Sequence, residues 1–245
     1  GLLMNGESCG KRLEKDSALR THWVSFDTSK GELLMNTPKK GIFITIEGGH
    51  GTGKTACISH LRERLVERGQ TVVLTNDQSG TALGKQIRAI NLTNHPVNPD
   101  FLTEALLIAA ASRQNLVEVI RPSLARGDIV ICERYGDAFY AFQGFGRHIE
   151  MAFLQSLRSR IEEGMAPPDV TLLLDAPAAV TLSRLLPASR HRIERECLHF
   201  HEAVRQGYIT IASDNQERIT VIDALMPLPD VLETAWQHLC QKLKL

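Results

Sequence analysis

Residues 48–55 follow the pattern G-x-x-x-x-G-K-[ST], which is typical of a loop that binds nucleotide phosphates. The loop residues are Gly48, Gly49, His50, Gly51, Thr52, Gly53, Lys54 and Thr55. Glycines let backbone N–H groups close around phosphate oxygens, Lys54 neutralises the β- and γ-phosphates, and the Thr55 hydroxyl reaches Mg²⁺. The pattern predicts a nucleoside triphosphate site. The alternative, a glycine-rich turn that binds nothing, is disfavoured because the Lys-Thr pair is in register.

The segments on both sides of the loop are the elements that such a site requires. Residues 41–47 form a β-branched, apolar run, which predicts one strand buried on both faces. After the loop, Ile58, Leu61 and Leu65 recur at helical spacing, and Gly69 is placed to end that helix. The positive end of the helix dipole would then point at the phosphates.

Polar side chains also follow the other predicted strands. Residues 76–77 come after the second strand, Glu133 and Arg134 after the third, and Asp175 at the end of the fourth. Ligands of parallel α/β sheets bind at the carboxyl ends of the strands. A carboxylate there can hold Mg²⁺ or accept a proton from an attacking hydroxyl. We therefore predict Glu133 and, as second choice, Asp175 as metal ligands beside Thr55; the alternative is that each carboxylate caps the next helix.

Arginines supply the remaining charge that phosphoryl transfer needs. Arg134 is placed to bridge the donor and acceptor phosphates, and Arg190, Arg192 and Arg195 form a basic segment suited to closing over the γ-phosphate. The alternative for this segment is a solvated helix start. The predicted catalytic residues are Lys54, Glu133, Arg134, Arg190 and Arg192.

Alternating strands and helices predict an α/β fold with a parallel sheet covered by helices on both faces. The predicted strands are residues 41–47, 71–75, 128–132, 170–175 and 219–223. The predicted helices are residues 56–69, 84–90, 101–124, 149–163, 178–186, 196–213 and 231–245. We interpret residues 1–40 as an N-terminal appendage that is either disordered or not native, and residues 41–245 as one domain.

Composition narrows the class of protein. The 28 Lys and Arg balance the 28 Asp and Glu, so no overall field favours nucleic acid or membrane. Five widely spaced cysteines without a C-x-x-C pair favour a reducing compartment. No apolar run approaches the ~18 residues of a membrane span, and the N-terminus lacks the pattern of a signal peptide. These features predict a cytoplasmic protein.

Further blocks of residues resemble the thymidylate kinase family. They are Glu47-Gly48, Gly80-Thr81 with Ile87-Arg88, residues 103–107 with Arg113-Gln114, Glu133-Arg134-Tyr135 with residues 141–144, Arg192-Ile193-Glu194, residues 204–208 and residues 222–224. The resemblance covers residues 42 to about 239. It implies a five-stranded, three-layer P-loop NTPase fold and transfer of phosphate from ATP·Mg²⁺ to dTMP. It also implies a lid near residues 186–196 of the bacterial type, with arginines in the lid, and a homodimer.

The resemblance also implies an acceptor site, and there the chain departs from the family. The implied acceptor residues are Asp77, Arg88, Ile108, Ser112, Arg113, Arg134, Phe142 and Gln143. The departures are Asn76 and Ser112 in place of arginines, Ile108 in place of the aromatic ring that stacks on thymine, His50 in place of an acidic residue that holds the sugar hydroxyl, and Phe142 in place of a tyrosine. Each lost arginine–phosphate contact removes about 1.5–3 kcal/mol. Arg88, Arg113 and Arg134 are the candidates to replace those contacts.

Three hypotheses follow. The first is a dTMP kinase. The second is a kinase with another hydroxyl acceptor, such as a nucleoside or a modified pyrimidine deoxynucleotide, free or in DNA, with Glu133 as general base. Only this reading involves nucleic acid, and the neutral net charge disfavours a polymer substrate. The third is a non-catalytic ATP-binding homologue, which the intact Lys54 and Arg134 disfavour.

Overall fold

A computed structural model describes residues 25–27, 32–34, 41–93, 98–186 and 190–244. The chain divides into two units, Gly1–Pro38 and Lys39–Leu245. In the first unit, β1 (Ser25–Asp27) pairs antiparallel with β2 (Glu32–Leu34). The other residues of the predicted appendage lie outside the described residues, so the division into an appendage and a domain stays a prediction.

The second unit is built on a five-stranded parallel sheet, which confirms the predicted fold class. Its strands are β3 (Ile42–Gly48), β4 (Val72–Asn76), β5 (Ile129–Glu133), β6 (Val170–Asp175) and β7 (Ile219–Asp223), in the order β4-β5-β3-β6-β7. The central strands are buried because their β-branched residues pack on both faces. In β3, Ile44 lies opposite Ile131 on one side and Val170 on the other. Asn76 and Glu133 are register partners, so polar residues meet at one edge of the sheet.

Helices cover both faces of the sheet. They are α1 (Lys54–Glu67), α2 (Ala82–Leu92), α3 (Phe101–Asn115), α4 (Arg121–Ala125), α5 (Gly136–Phe139), α6 (Met151–Ile161), α7 (Ala178–Ser183), α8 (Leu198–Asp214) and α9 (Leu228–Leu243). On one face, Leu61 of α1 and Trp236 of α9 join the core around Ile44. On the opposite face, Phe200 of α8 joins the core around Leu173. Within the described residues, no helix combines the length and apolarity that a membrane span requires.

The helix predicted over residues 101–124 is interrupted. After α3, a π-helical turn spans Leu116–Ile120 before α4 begins. Pro122 has no N–H to donate to the carbonyl of Glu118, and its ring would clash with that carbonyl in a regular helix. A wider turn resolves the clash while Leu116 and Ile120 stay fully buried.

A second helical stretch, for which no element was predicted, follows β5. It consists of α5 and a π-helical turn over Tyr140–Gly146. Gly144 and Gly146 hide it from a sequence analysis because glycine disfavours helices. Here glycine permits close packing: a Cβ atom on Gly146 would lie 2.7 Å from the ring of Phe200, and one on Gly207 would lie 2.7 Å from the ring of Phe145. Close contact with α8 therefore offsets the poor helix propensity.

Candidate active site

The phosphate loop connects β3 to α1 and depends on its glycines. Gly48, Gly51 and Gly53 have φ values of 133°, 74° and 95°, in the region that favours glycine. A Cβ atom on Gly51 would lie 2.1 Å from the carbonyl oxygen of Thr181. The loop therefore rests directly on the backbone of α7, and a side chain at residue 51 would push the two apart.

Lys54 lies at the first position of α1 and turns back over the loop. Its Nζ donates a hydrogen bond to the carbonyl of Gly49 at 2.6 Å, and the residue is buried. The pKa of Lys54 is lowered to about 7, chiefly by burial and also by Arg134, while Glu133 opposes the shift. A bound phosphate would return the ammonium to its charged form.

A cleft of about 410 Å³ opens above the loop. Its wall includes Lys54, Thr55, Asn76, Arg88, Glu133, Arg134, Arg184, His191 and Glu194. The cleft thus brings together most of the predicted donor-side residues, which come from the phosphate loop, the start of α1 and the end of β5. Burial also lowers the pKa of Arg88, with a further contribution from Arg134. Within the described part of the chain, Arg88 forms no hydrogen bond or ion pair, so its guanidinium is available to an anion.

Arg134 is held in an unusual backbone conformation directly after β5. Its φ of 62° lies in the left-handed region, which costs a non-glycine residue about 1–2 kcal/mol. Its Nη1 donates to the carbonyl of Gly48 at 2.8 Å and to the hydroxyl of Tyr208 at 2.9 Å. The guanidinium carbon lies 4.9 Å from the centre of the Phe142 ring. These contacts aim the side chain along the phosphate loop.

A buried glutamate, Glu47, is linked to this arginine through the hydroxyl of Tyr208. Glu47 accepts hydrogen bonds from the Tyr208 hydroxyl at 3.0 Å and from the backbone N–H of Tyr135 at 2.7 Å. Burial raises the pKa of Glu47 to about 8, with a further contribution from Asp137, while Arg134 lowers it. The chain Glu47–Tyr208–Arg134 therefore links the core of β3 to the cleft.

A second cavity, of about 60 Å³, adjoins the cleft on the side of α2 and α3. Its lining includes Asp77, Arg88, Ile108, Arg134, Phe139, Phe142 and Gln143. Both cavities are also lined by His50 and His191. The two spaces therefore share walls, and Arg134 lines both of them.

Two predicted acceptor residues do not line this second cavity. Ser112 is fully buried and donates its hydroxyl to Asp77. Burial raises the pKa of Asp77, and Arg158 and the Ser112 hydroxyl oppose that shift. Arg113 is turned away, because its Nη1 donates to the carbonyl of Ile161 at 2.8 Å. Of the three candidate replacement arginines, the structure brings Arg88 and Arg134 to the cavities and leaves Arg113 apart.

The three predicted lid arginines also contact other parts of the chain rather than the cleft. Arg195 donates its Nε to the carbonyl of Arg190 at 2.8 Å. Arg190 donates to the carbonyl of Leu182 at 2.5 Å. Arg192 is buried; it pairs with Glu104 and donates its Nε to the carbonyl of Asn91 at 2.8 Å. Residues 187–189 of the predicted lid lie outside the described residues.

Asp175, the second residue predicted as a metal ligand, forms an ion pair with Arg205. Its two carboxylate oxygens accept hydrogen bonds from Arg205 at 2.9 and 3.0 Å. It lines a small pocket behind the loop, whereas Glu133 and Thr55 line the cleft itself. Of the two carboxylates predicted to hold the metal, Glu133 is therefore the one that lines the cleft.

His50 of the loop contacts the predicted lid, residues 186–196. Its Nδ1 lies 3.2 Å from Oε1 of Glu194, and Nε2 of His191 lies 3.4 Å from the same oxygen. Burial lowers the pKa of His50 to about 3, and burial also lowers that of His191. The hydrogen bond from His50 holds the pKa of Glu194 at about 2. At neutral pH the cluster has two neutral rings and one carboxylate.

Five residues of the site were not predicted as site residues from the sequence: Glu47, Tyr208, Arg184, His191 and Glu194. Arg184 follows α7, and it donates to the carbonyls of Gly51 at 3.3 Å and Ala224 at 3.0 Å. Glu47, Tyr208 and Glu194 stand inside the blocks that resemble the family, so a signal for them was present. No local sequence pattern indicated the contact between His50 and His191, because 141 positions of chain separate the two residues.

Comparison with known proteins agrees with this arrangement. A family sequence model described as thymidylate kinase matches residues 46–235. The thymidylate kinase of Methylococcus capsulatus is 46% identical over 189 residues, which cover 77% of this chain and 89% of that protein. The thymidylate kinase of Pseudomonas fluorescens strain SBW25 is 43% identical over 194 residues, 78% of this chain and 91% of the relative. That of Enterococcus faecalis is 39% identical over 207 residues, with shares of 83% and 97%.

Proposed function

This chain belongs to the thymidylate kinase family, and we propose that it transfers the γ-phosphoryl group of ATP to dTMP, which yields ADP and dTDP. The observation that carries this function is the shared wall between the phosphate-loop cleft and the cavity beside α3. Donor and acceptor would meet at Arg134, where the phosphoryl group passes from one to the other. In-line transfer requires this juxtaposition.

The cleft suits ATP together with Mg²⁺. Thr55 is exposed at the start of α1, and Glu133 faces the same space from the end of β5. A hydroxyl, a carboxylate, waters and phosphate oxygens are the oxygen ligands that Mg²⁺ takes in such sites. When bound, the ion would neutralise charge on the phosphate oxygens. We propose Thr55 and Glu133 as the residues that hold it, and not Asp175, which Arg205 occupies.

Catalysis would rest on positioned positive charge. Lys54 lies over the loop. Within the described residues, Arg134 donates hydrogen bonds to protein groups from Nη1 alone, so its Nη2 and Nε remain available to phosphate oxygens. Such preorganised donors stabilise the charge that the transition state spreads over the phosphoryl oxygens. The left-handed backbone of Arg134 is the cost of that placement.

The lining of the second cavity has the chemistry that a pyrimidine nucleotide needs, and a nucleotide would have to widen the space of about 60 Å³ to enter it. Phe139, Phe142 and Ile108 give it an apolar wall, Gln143 offers an amide, and Arg88 is free to contact the phosphate. The buried Ser112–Asp77 pair occupies a place where the family resemblance implies an arginine. Arg88 would therefore carry most of the recognition of the acceptor phosphate.

The test is steady-state ADP release with ATP·Mg²⁺, with dTMP, dUMP, other monophosphates and thymidine as acceptors and Lys54→Ala as the blank. We expect dTMP to be the preferred acceptor. Arg88→Ala should raise the KM for dTMP by about 10-fold or more, as expected for the loss of one charged hydrogen bond. Arg113→Ala is the matched control, because Arg113 contacts Ile161 instead. Turnover with thymidine but with no monophosphate would refute the proposed acceptor.

We further propose a cytoplasmic homodimer. Exposed apolar side chains on α2 and α3, at Leu83, Phe101 and Leu106, offer a surface that a second copy could bury. Light scattering coupled to size exclusion measures the mass in solution. A monomeric mass at micromolar concentration would contradict the dimer.

A further inference from the structure

Three metal-binding side chains meet at the wall of the cleft: His50, His191 and Glu194. One donor atom from each lies within 4.8 Å of the other two. His50 comes from the phosphate loop, and the other two come from the segment before α8. The proposed phosphoryl transfer gives none of these three side chains a task. The cluster therefore calls for an explanation of its own.

The spacing of the donor atoms fits a tetrahedral ion. Zinc binds histidine nitrogen and carboxylate oxygen at about 2.0–2.2 Å, which places neighbouring ligand atoms about 3.3–3.6 Å apart in a tetrahedron. The distance from Glu194 Oε1 to His50 Nδ1 is 3.2 Å, and that to His191 Nε2 is 3.4 Å. An ion could therefore bind with little movement of the side chains.

The rings are also in the right chemical form and are held in place. Both imidazoles are neutral and Glu194 is ionised at neutral pH. When an ion binds, the proton that His50 donates to Glu194 from Nδ1 would move to Nε2, which leaves Nδ1 free to act as a ligand. The His50 ring makes edge contacts with Phe142 at 5.6 Å and with His201 at 5.9 Å between ring centres. Packing thus restricts the ring before any ion arrives.

We propose that His50, His191 and Glu194 form a binding site for a transition-metal ion such as Zn²⁺, with the fourth position open to the nucleotide cleft. Two imidazoles and one carboxylate suit Zn²⁺ or Co²⁺, whereas Mg²⁺ prefers oxygen ligands alone. The site is therefore separate from the one proposed for Mg²⁺ at Thr55 and Glu133. It would join the phosphate loop to the segment that carries His191.

Neighbouring charges set an upper limit on the affinity. Lys54 and Arg134 lie close enough to His50 to lower its pKa, and the same positive charges oppose a divalent cation. Glu194 supplies the only negative charge among the three ligands. We therefore expect weaker binding than at a structural zinc site, which makes a competition titration the suitable measurement.

The experiment titrates Zn²⁺ into tag-free protein that competes with a chromophoric zinc chelator, in excess Mg²⁺ and without nucleotide. We expect one ion per chain. His191→Ala and Glu194→Gln should each weaken binding by at least about 10–100-fold, the range found even for outer-shell partners of a metal site. His191→Cys should restore binding, because thiolate is a zinc ligand. His199→Ala is the matched control, since His199 is exposed on α8 outside the cluster.

A second readout does not depend on the chelator. Zn²⁺ should raise the Tm of the wild-type chain and of His199→Ala but not that of Glu194→Gln, because only a folded site binds the ion. Zn²⁺ binding by the wild-type chain that is no tighter than binding by His191→Ala would overturn the proposal. An equal loss of binding in His199→Ala would overturn it as well. If His191→Ala does not fold, Glu194→Gln decides, because it keeps the size of the side chain.

Discussion

Tyr208 and Tyr135 are equally buried but differ in what their hydroxyls contact. Each exposes 2% of its surface. The Tyr208 hydroxyl donates to Glu47 at 3.0 Å and accepts from Arg134 at 2.9 Å. Among the described residues, the Tyr135 hydroxyl has no hydrogen-bond partner. The same change, tyrosine to phenylalanine, should therefore have opposite effects on the free energy of unfolding at the two positions.

The contacts set the expected magnitudes. Tyr208→Phe removes the hydrogen bond that the charged guanidinium of Arg134 donates to the Tyr208 hydroxyl, which should lower the free energy of unfolding by about 1.5–3 kcal/mol. Glu47 would keep only its bond from the backbone N–H of Tyr135. Tyr135→Phe removes a hydroxyl whose burial without a hydrogen bond costs about 1–3 kcal/mol. The free energy of unfolding of that variant should therefore be unchanged or higher. The ring of residue 135 stays in place beneath Arg158, whose guanidinium carbon lies 4.1 Å from the ring centre.

Urea unfolding followed by circular dichroism measures both variants, with unchanged m-values as the condition for comparison. Tyr140→Phe serves as the partly exposed control and should change little. Steady-state ADP release on the same samples should fall for Tyr208→Phe alone, because Arg134 then loses a positioning contact. If Tyr135→Phe lost as much stability as Tyr208→Phe, burial alone would set the cost, and the hydrogen-bond argument would be refuted.

Other predictions concern charged groups. Lys54→Met should lower kcat by about 10²–10³-fold, the range for one preorganised donor. The same substitution should also raise the free energy of unfolding, because the pKa of Lys54 is lowered from 10.5 to about 7 in the folded chain. The gain should be largest below pH 7 and absent above about pH 10.5. Urea unfolding of both proteins over a range of pH measures this difference. The pKa of Glu47 is raised from 4.5 to about 8, so wild-type stability should fall as pH rises through that interval, and Glu47→Gln should lack the slope. If the stability of Glu47→Gln fell with pH as steeply as that of the wild type, Glu47 would not be the group that holds a proton in the folded chain. Glu133→Gln should raise the Mg²⁺ concentration that gives half-maximal ADP release, whereas Asp175→Asn should not, because Arg205 already binds Asp175. The reverse result would move the metal site to Asp175.

Features set by local pattern were predictable from the sequence. The apolar runs identify all five strands of the parallel sheet, since buried parallel strands need continuous β-branched segments. The turn between β3 and α1 follows from the spacing of Gly48, Gly53 and Lys54, because close backbone approach needs glycine. The order of the strands places Asn76 and Glu133 side by side at the carboxyl ends of β4 and β5, where ligands of parallel sheets bind.

Features set by distant partners were not predictable. A basic segment was expected to face the nucleotide, yet Arg192 pairs with Glu104, which lies 88 positions earlier in the chain. Nothing in the spacing of arginines reveals a buried carboxylate on another helix. The helical stretch after β5 was missed for a similar reason, because Gly144 and Gly146 are tolerated only through their contacts with other helices. Long side chains and close packing depend on tertiary structure.

The left-handed backbone of Arg134 limits what can replace this residue. Glycine would adopt a φ of 62° without the steric cost of about 1–2 kcal/mol, but it would lose the two hydrogen bonds that the guanidinium donates to Gly48 and Tyr208. A selection for phosphoryl transfer would also favour arginine, because only a side chain can reach from this turn to the cleft. Libraries that vary residue 134 should therefore return arginine, and a stabilisation scheme that replaces residues with positive φ by glycine has to leave this one unchanged.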